Sequence, residues 1–178
     1  FQLVEVSCAD SKYREIKNLF QQTMKDYSIR RLRRTRSLTL WQHFQLQKEH
    51  LEKRSPGQEV DEWLLFHGMS PSHVPAICEQ NFDWRIYGTH GTMYGKDSRC
   101  LFLRFRHFLT HGFFWCLRSY FARDASYSHQ YCLWSTDHHS MFVAQILAGD
   151  FDWGNQVYFC PPTRLEFSNR PLDSCVDN

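Results

Sequence analysis

The segment SYFARDASYSHQY, Ser119 to Tyr131, combines aromatic rings with small hydroxyl groups at a spacing that could hold a flat heterocycle. If a helix begins inside this segment, Ser128 and Tyr131 lie three residues apart and share one helical face. Tyr120 lies on the preceding strand, which can turn back beside that face. Two aromatic planes with a gap between them would stack on a planar ring, and a hydroxyl at the edge could hydrogen-bond a carboxamide. Tyrosines packing at a polar helix start are the simpler alternative.

A carboxamide in such a slot needs a protein backbone close enough to pair with both its N–H and its C=O groups. Glycine permits this approach because it has no Cβ. Gly68 follows the apolar run WLLF directly, and His67 beside it offers a polar contact for a sugar hydroxyl. The predicted members of the site are His67, Gly68, Tyr120, Ser128 and Tyr131.

The elements that must position these residues follow from hydrophobic spacing and cap residues. FQLVEV predicts a short strand, and apolar residues three and four apart predict a helix from Asp10 or Ser11 to Met24. Ser37 predicts the start of a second helix, which residues 55–57 end, and Ser70-Pro71 predicts the start of a third. Further strands are predicted within 27–36, at 63–66, at 119–122, at 141–151 as a central strand, and in 171–178.

This order mixes strands and helices without a regular βαβ alternation, which predicts an α+β fold. Four large apolar residues are predicted to be core: Trp41, Phe44, Phe142 and Ile146. Tyr127 neighbours Ser128 in sequence and is therefore predicted to face away from the slot. The glycine-rich segment GTHGTMYGK is interpreted as a loop. In it, His90 is interpreted as a solvated residue, and Tyr94 either borders the cleft or packs against the protein.

Composition limits the class of protein. The chain has 178 residues, 42% hydrophobic and 16% aromatic, which suits one domain with a real core. Its formal net charge of +2 gives no chain-wide nucleic-acid signal. The local run RRLRRTR, Arg30 to Arg36, could contact phosphates, but a solvated strand face is the interpretation we favour there. The histidines of STDHHS lack metal-ligand spacing, so no metal is expected.

The chain has seven cysteines, an odd number, and no CxxC pair, which predicts reduced thiols. Reduced thiols predict a protein of the nucleus, or also of the cytoplasm. The apolar stretch Leu101 to Leu117 contains Arg104 and Arg106 and is shorter than the ~20 apolar residues of a membrane-spanning helix. We therefore expect no membrane partner. The first residue is Phe1 rather than Met, which predicts a piece of a longer protein.

Five blocks carry a resemblance to a known family: LFHGMS, NFDW, GTHGTMYGK, SYFARDASYSHQY and DSCVDN. In this order they resemble the catalytic domain of the poly(ADP-ribose) polymerase-like ADP-ribosyltransferases, and in particular the mono-ADP-ribosylating members with CCCH zinc fingers and a WWE domain upstream. The resemblance spans residues 1–178 except Asp97 to Arg118. It implies a split, mixed or antiparallel sheet with flanking helices and an NAD cleft.

The resemblance also implies a role for each residue of the predicted site. His67 would hydrogen-bond the adenosine ribose, and Gly68 would clamp the nicotinamide carboxamide through its backbone. Tyr120 and Tyr131 would stack on the nicotinamide ring, Ser128 would hydrogen-bond its amide, and His67 and Tyr120 would be the catalytic pair. The implied reaction uses NAD as substrate, transfers ADP-ribose to a protein side chain, or to RNA in some members, and releases nicotinamide. Implied partners are acceptor proteins, and RNA through upstream domains.

Three features depart from the family pattern. Met69 stands where Thr or Ser is usual. Asp97 to Arg118 interrupts what should read YGKGSYFA; we favour a translated intron or gene-model error over a functional loop. The chain stops at Asn178, before two further strands and the third catalytic position, so mono- and poly-transfer cannot be told apart and poor stability is expected. An inactive interaction module with the same fold is therefore the alternative to an enzyme.

Overall fold

The computed structural model describes residues 1–57, 59–82, 100–103, 119–132, 139–153 and 172–176. Its helices are α1 (Ser11–Thr23), α2 (Leu38–Arg54), α3 (Val74–Gln80), which a 3-10 turn Pro71–His73 precedes, and α4 (Ala125–His129), which a 3-10 turn Gln130–Cys132 follows. Its strands are β1 (Gln2–Glu5), β2 (Arg33–Arg36), β3 (Glu62–Gly68), β4 (Cys100–Leu103), β5 (Ser119–Ala122), β6 (Met141–Leu147), β7 (Phe151–Trp153) and β8 (Ser174–Val176).

The helix boundaries confirm the cap residues predicted from the sequence. The Asp10 side chain accepts a hydrogen bond from the Lys12 backbone N–H at 2.8 Å. Ser37 does the same for the Leu40 N–H at 3.4 Å. These caps satisfy N–H groups that have no partner inside the helix. Gly57, with φ +86°, follows the end of α2, where glycine adopts a conformation that side chains disfavour.

The strands form two sheets, a β1–β2 pair and a six-stranded sheet in the order β6-β3-β5-β4-β8-β7. All described neighbours are antiparallel except β7 and β8, which are parallel. Helices and mostly antiparallel strands together make the α+β architecture that the sequence predicts. Within the described residues no helix has the length and apolar character of a membrane span.

The predicted central position of β6 is wrong for the described strands. β6 pairs with β3 along seven residues and stands at one end of the sheet order. Its residues are apolar on both sides because each side packs on a separate hydrophobic cluster, and most of them are only half-buried. Two-sided apolar character therefore reflects two cores here, and it does not require a neighbour on both edges.

β3 lies between these two clusters, so its alternate side chains belong to different cores. On the α3 side the buried set is Leu65, Met69, Ile77, Phe82, Phe121 and Ile146, with Phe142 packed against it. On the side of α1 and α4 the buried set is Phe20, Met24, Phe66 and Ala125. This arrangement fixes the end of β3, where His67 and Gly68 lie, between two packed layers.

β4 is a strand that the sequence pattern does not predict. Residues 100–103 lie inside the segment interpreted as an insert, yet they pair with β5 on one side and β8 on the other. The segment therefore contributes a strand to the sheet. Residues 104–118, which hold most of its aromatic side chains, lie outside the described part.

The prediction that Trp41 is core is wrong. Its side chain is 55% exposed, whereas Leu51 on the same helix is buried. The buried stripe of α2 is narrow, and Trp41 lies at its flank, where its indole stacks on Phe44 with ring centroids 5.8 Å apart. Phe44 and Phe142 are half-buried, and Ile146 is buried as expected.

Candidate functional site

The end of β3 approaches α4 so closely that no side chain fits at position 68. A Cβ built on Gly68 would lie 1.7 Å from the backbone carbonyl oxygen of Ser128 and 3.1 Å from the Cys132 sulfur. The Ser128 carbonyl thus occupies the space that a Cβ would need, which is one reason for glycine at this position. The close approach in the structure is between Gly68 and the backbone of Ser128. The approach of the Gly68 backbone to a carboxamide stays a prediction.

Ser128 lies beneath this contact and is 3% exposed. Its hydroxyl donates a hydrogen bond to the Phe66 carbonyl at 2.9 Å, which joins α4 to β3. A serine hydroxyl has one donor and two acceptor positions. After donating to Phe66, the oxygen can still accept a hydrogen bond, such as one from the N–H of a carboxamide.

Tyr131 follows α4 in the 3-10 turn and is half-buried. Its hydroxyl hydrogen-bonds the Tyr127 hydroxyl at 2.7 Å, and the two rings meet edge-to-face with centroids 5.4 Å apart. Tyr127, predicted to face away from the slot, packs on Tyr131. Its orientation relative to the slot stays a prediction. Residues four apart are neighbours on a helical surface, and this i,i+4 spacing is the signal that could have revealed the pair.

His67 is 6% exposed, and its ring contacts the rings of Phe82 and Phe121 at centroid distances of 5.1 and 5.3 Å. These partners belong to the α3-side cluster, whereas the Gly68–Ser128 contact lies on the α4 side. The five predicted residues are thus distributed around the end of β3. Gly68 and Ser128 touch, Tyr131 lies one turn beyond Ser128, and His67 lies across the strand.

Tyr120 lies in β5 with its backbone opposite Phe102 of β4. The predicted strand is confirmed, and β5 is a direct neighbour of β3 through the pairing of Ala122 with Phe66. The position of the Tyr120 side chain, and the stacking of its ring opposite Tyr131, lie outside the described part, as do His90 and Tyr94. This half of the slot stays a prediction.

Cys132 is a member of the site that the sequence reasoning did not single out. Its thiol is fully buried below Gly68 and donates to the Ser140 carbonyl at 3.1 Å. Burial raises the pKa of this thiol, and a hydrogen bond with the Met69 backbone opposes that effect only in part. A buried neutral thiol packs as a small apolar group, so its position indicates that it supports the end of β3 at Gly68.

His129 lies at the end of α4, directly after Ser128. Its ring contacts those of Tyr27 and His139 at centroid distances of 4.8 and 4.6 Å. Its buried Nε2 has no hydrogen-bond partner among the described residues. Burial, together with the charge that His139 can carry, lowers the pKa of His129 and favours the neutral imidazole.

Comparisons with known proteins identify the class. The pattern of the poly(ADP-ribose) polymerase catalytic domain matches residues 10–100. The human protein mono-ADP-ribosyltransferase PARP12 is 40% identical over 178 residues, which is 100% of this chain and 22% of that protein. Human PARP11, which carries the same description, is 33% identical over 198 residues, 100% of this chain and 52% of that protein. Mouse zinc finger CCCH-type antiviral protein 1 is 28% identical over 54% of the chain.

The α+β fold is that of an ADP-ribosyltransferase domain. The chain belongs to the poly(ADP-ribose) polymerase catalytic domain family, and the resemblance of its five sequence blocks is thereby confirmed. The chain spans about a fifth of the length of PARP12 and about half that of PARP11. The donor that ADP-ribosyl transfer uses is NAD, and no other cofactor is indicated for the family.

Proposed function

We propose that this chain transfers single ADP-ribose units from NAD to protein side chains and releases nicotinamide. The observation that carries the proposal is the contact of Gly68 with Ser128 beside the buried His67. The partly exposed backbone at this end of β3, in a member of the family, can clamp a planar carboxamide. The mono-ADP-ribosyl description of PARP12 and PARP11 supports transfer of single units.

In this proposal each residue holds one part of NAD. The Gly68 backbone and the Ser128 hydroxyl bind the nicotinamide amide, the rings of Tyr120 and Tyr131 stack on its pyridine, and His67 binds the adenosine ribose. The reaction is glycosyl transfer through an oxocarbenium-like transition state. Since nicotinamide leaves as a neutral molecule from a cationic glycoside, the main catalytic contribution of these groups is orientation.

Nicotinamide release from NAD tests this function. The chain is incubated with NAD, nicotinamide is quantified by chromatography, and intact mass identifies added ADP-ribose. We expect His67→Gln to lose most of the release and His43→Gln, at an exposed position of α2, to keep it. Equal melting curves and circular dichroism spectra would show that both variants fold. A folded wild-type chain that binds NAD but releases no nicotinamide, or that carries chains of ADP-ribose, contradicts the proposal.

An inactive interaction module is the second candidate, and β4 is the observation that favours it. This strand pairs with β5, the strand that carries Tyr120, and it comes from the segment 97–118 that interrupts the family pattern. A folded chain whose melting temperature does not rise with NAD would support the module. For both candidate functions, we propose that residues 1–178 form one domain of the poly(ADP-ribose) polymerase catalytic type, with residues 97–118 as an atypical insert.

Partners and location are also proposals. Acceptor proteins follow from the proposed transfer, and an RNA partner, bound through parts of the protein outside this chain, is suggested by the similarity to zinc finger CCCH-type antiviral protein 1. Free thiols at Cys8, Cys78 and Cys132 are compatible with the nucleus and with the cytoplasm. Imaging of the tagged full-length protein tests the location; a secreted protein contradicts it.

A further inference from the structure

An arginine-rich strand runs directly into a helix that presents an exposed tryptophan. Residues 30–36 contain five of the 21 lysines and arginines of the chain. All five arginines are exposed, and three of them, Arg33, Arg34 and Arg36, lie in β2. Ser37 alone separates β2 from α2, in which Trp41 lies. A cationic strand and an aromatic ring thus occupy one junction.

The cations of β2 have little local counter-charge. In the pairing with β1, Arg34 lies opposite Val4, Arg36 opposite Gln2 and Arg33 opposite Glu5. The one acidic residue of β1, Glu5, is bonded to Arg31 at 3.1 Å. Arg33, Arg34 and Arg36 form no salt bridge with any residue in the described part of the chain. An anion that reached this strand would therefore displace no internal partner of these three groups.

The indole of Trp41 is exposed yet held in place. Its side chain is 55% exposed, and its ring lies nearly parallel to that of Phe44, with an interplanar angle of 17°. Stacking on Phe44 restrains one face of the indole side chain. An accessible aromatic plane beside cationic groups is the combination that single-stranded nucleic-acid sites use, because every base can stack on it.

The two features are close and rigidly mounted. Ser37 and the first three residues of α2 separate Arg36 from Trp41, which places their Cα atoms within about 12 Å of each other. The Thr35 hydroxyl lies 3.3 Å from the sulfur of Cys78, which is buried in α3. This contact ties β2 to the helix that packs on β3, so the cationic surface moves with the core.

We propose that β2 and the first turn of α2 form a binding surface for single-stranded nucleic acid. Arg34 and Arg36, which share one face of β2, pair with backbone phosphates, for which the guanidinium fork is well shaped, and Trp41 stacks on a base. Arg33, on the other face, adds positive charge. An acidic peptide would satisfy the arginines but would leave the indole without a planar partner. The surface is separate from the proposed NAD site and does not depend on ADP-ribosyl transfer.

The test measures binding of a fluorescein-labelled 12-nucleotide uridylate RNA to the chain by anisotropy. The triple variant Arg33→Gln, Arg34→Gln, Arg36→Gln should weaken binding at least tenfold. It should also reduce the slope of log affinity against log salt by about 1.4, since Arg34 and Arg36 each make one phosphate contact and each contact on a single strand contributes about 0.7. The charge-matched control is Arg14→Gln and Lys17→Gln on the exposed side of α1 together with Lys25→Gln just after that helix, which should change affinity less than twofold.

Separate variants test the proposed stacking of a base on Trp41. Trp41→Ala should weaken binding at least fivefold, Trp41→Phe should restore most of it, and Leu46→Ala, another exposed apolar position of α2, should have no effect. Because position 41 is exposed, these variants keep the test decisive even if the arginine triple does not fold. Equal loss in both charge triples, unchanged binding in Trp41→Ala, or tighter binding of a labelled poly-glutamate peptide would each overturn the proposal.

Discussion

At the scale of single residues, Gly68 is a position where the surrounding atoms leave no room for a side chain. A Cβ there would meet the backbone carbonyl of Ser128, which cannot swing aside as the end of a flexible side chain could. We predict that Gly68→Ala lowers the free energy of unfolding by about 3 kcal/mol, at the upper end for overpacking. Urea denaturation measures this change.

The comparison for Gly68 is Gly57→Ala. At Gly57 nothing lies within 4 Å of the added Cβ, and only its φ of +86° disfavours a side chain. We expect that variant to lose about 1 kcal/mol. Equal losses at the two positions would mean that the contact with Ser128 does not limit residue 68.

The hydroxyl pair of Tyr127 and Tyr131 gives a second residue-scale prediction. Tyr127 orients the ring that is proposed to stack on nicotinamide, since its hydroxyl is the described partner of Tyr131. We predict that Tyr127→Phe raises the KM for NAD severalfold and changes kcat little. A cycle with Tyr131→Phe should give a coupling of about 1 kcal/mol in NAD affinity. Additive effects of the two changes would contradict a positioning role.

His129 predicts how stability depends on pH. Burial lowers the pKa of His129 in the folded state, whereas the unfolded chain has a value near the ordinary ~6.5. Between the two values the unfolded chain binds more protons, so the free energy of unfolding rises with pH. Stability is thus complete above about pH 6.5 and declines as the pH falls below it. The facing groups are the rings of His139 and Tyr27.

Urea denaturation between pH 7.5 and 5.5 measures this dependence. His129→Gln should flatten it, while His50→Gln at an exposed position of α2 should leave it unchanged. If the His129 variant keeps the wild-type slope, other groups are responsible for it.

At the scale of elements, Arg54 links three parts of the chain. The guanidinium at the end of α2 bonds Asp150, before β7, at 3.1 Å, and both carboxylate oxygens of Asp173, before β8. The Asp173 N–H donates to the Asp150 carbonyl, and the Asp150 N–H donates to the Asp173 carboxylate. The side-chain hydrogen bond with Asp173 and the negative charges of both aspartates raise the pKa of Arg54. The side chain of Arg54 is 13% exposed, so the group acts as an internal clasp.

We predict that Arg54→Met destabilises the chain by about 2 kcal/mol, because two neighbouring carboxylates lose their counter-charge. Arg54→Lys should keep only part of the stability that Arg54 provides, since an ammonium group cannot bond both aspartates as a planar guanidinium does. Lys53→Met removes the exposed pair with Glu49 and should change stability by less than about 0.5 kcal/mol. Thermal and urea unfolding of the three variants decide; equal effects at positions 53 and 54 would refute the clasp.

Elements also show what the sequence could predict. Helix starts at Asp10 and Ser37 were predictable because a cap and its helix are local in sequence. The strand at 100–103 was not, since its segment has no clear period and its partners are distant in sequence. Gly68 and Ser128 were predicted as site members, but their mutual contact was not, because it depends on the packing of α4 on β3. Exposure of Trp41 likewise depends on how wide a stripe α2 buries.

At the scale of the whole molecule, the segment 97–118 decides how the sheet is joined. β4 is the described strand that connects β5 to β8, and β8 in turn holds β7. We predict that joining Lys96 to Ser119 lowers the melting temperature by several degrees, because β8 and β7 lose their link to the sheet. Differential scanning calorimetry measures this, and replacing 104–118 by a short Gly-Ser linker, which keeps β4, is the control. A higher melting temperature after full deletion would support an extraneous insert.

The position of β8 in the sheet has a consequence for biosynthesis. β8 is the last described strand of the chain, yet it lies between β4 and β7 in the sheet order. A nascent polypeptide can complete the β6-β3-β5 side while the ribosome is still translating, because those strands end at Leu147. The other side must wait for residues near 174, so β7 emerges from the exit tunnel before the partner that will hold it. Slow codons between these two strands would prolong the exposure of an unpaired β7 edge to chaperones.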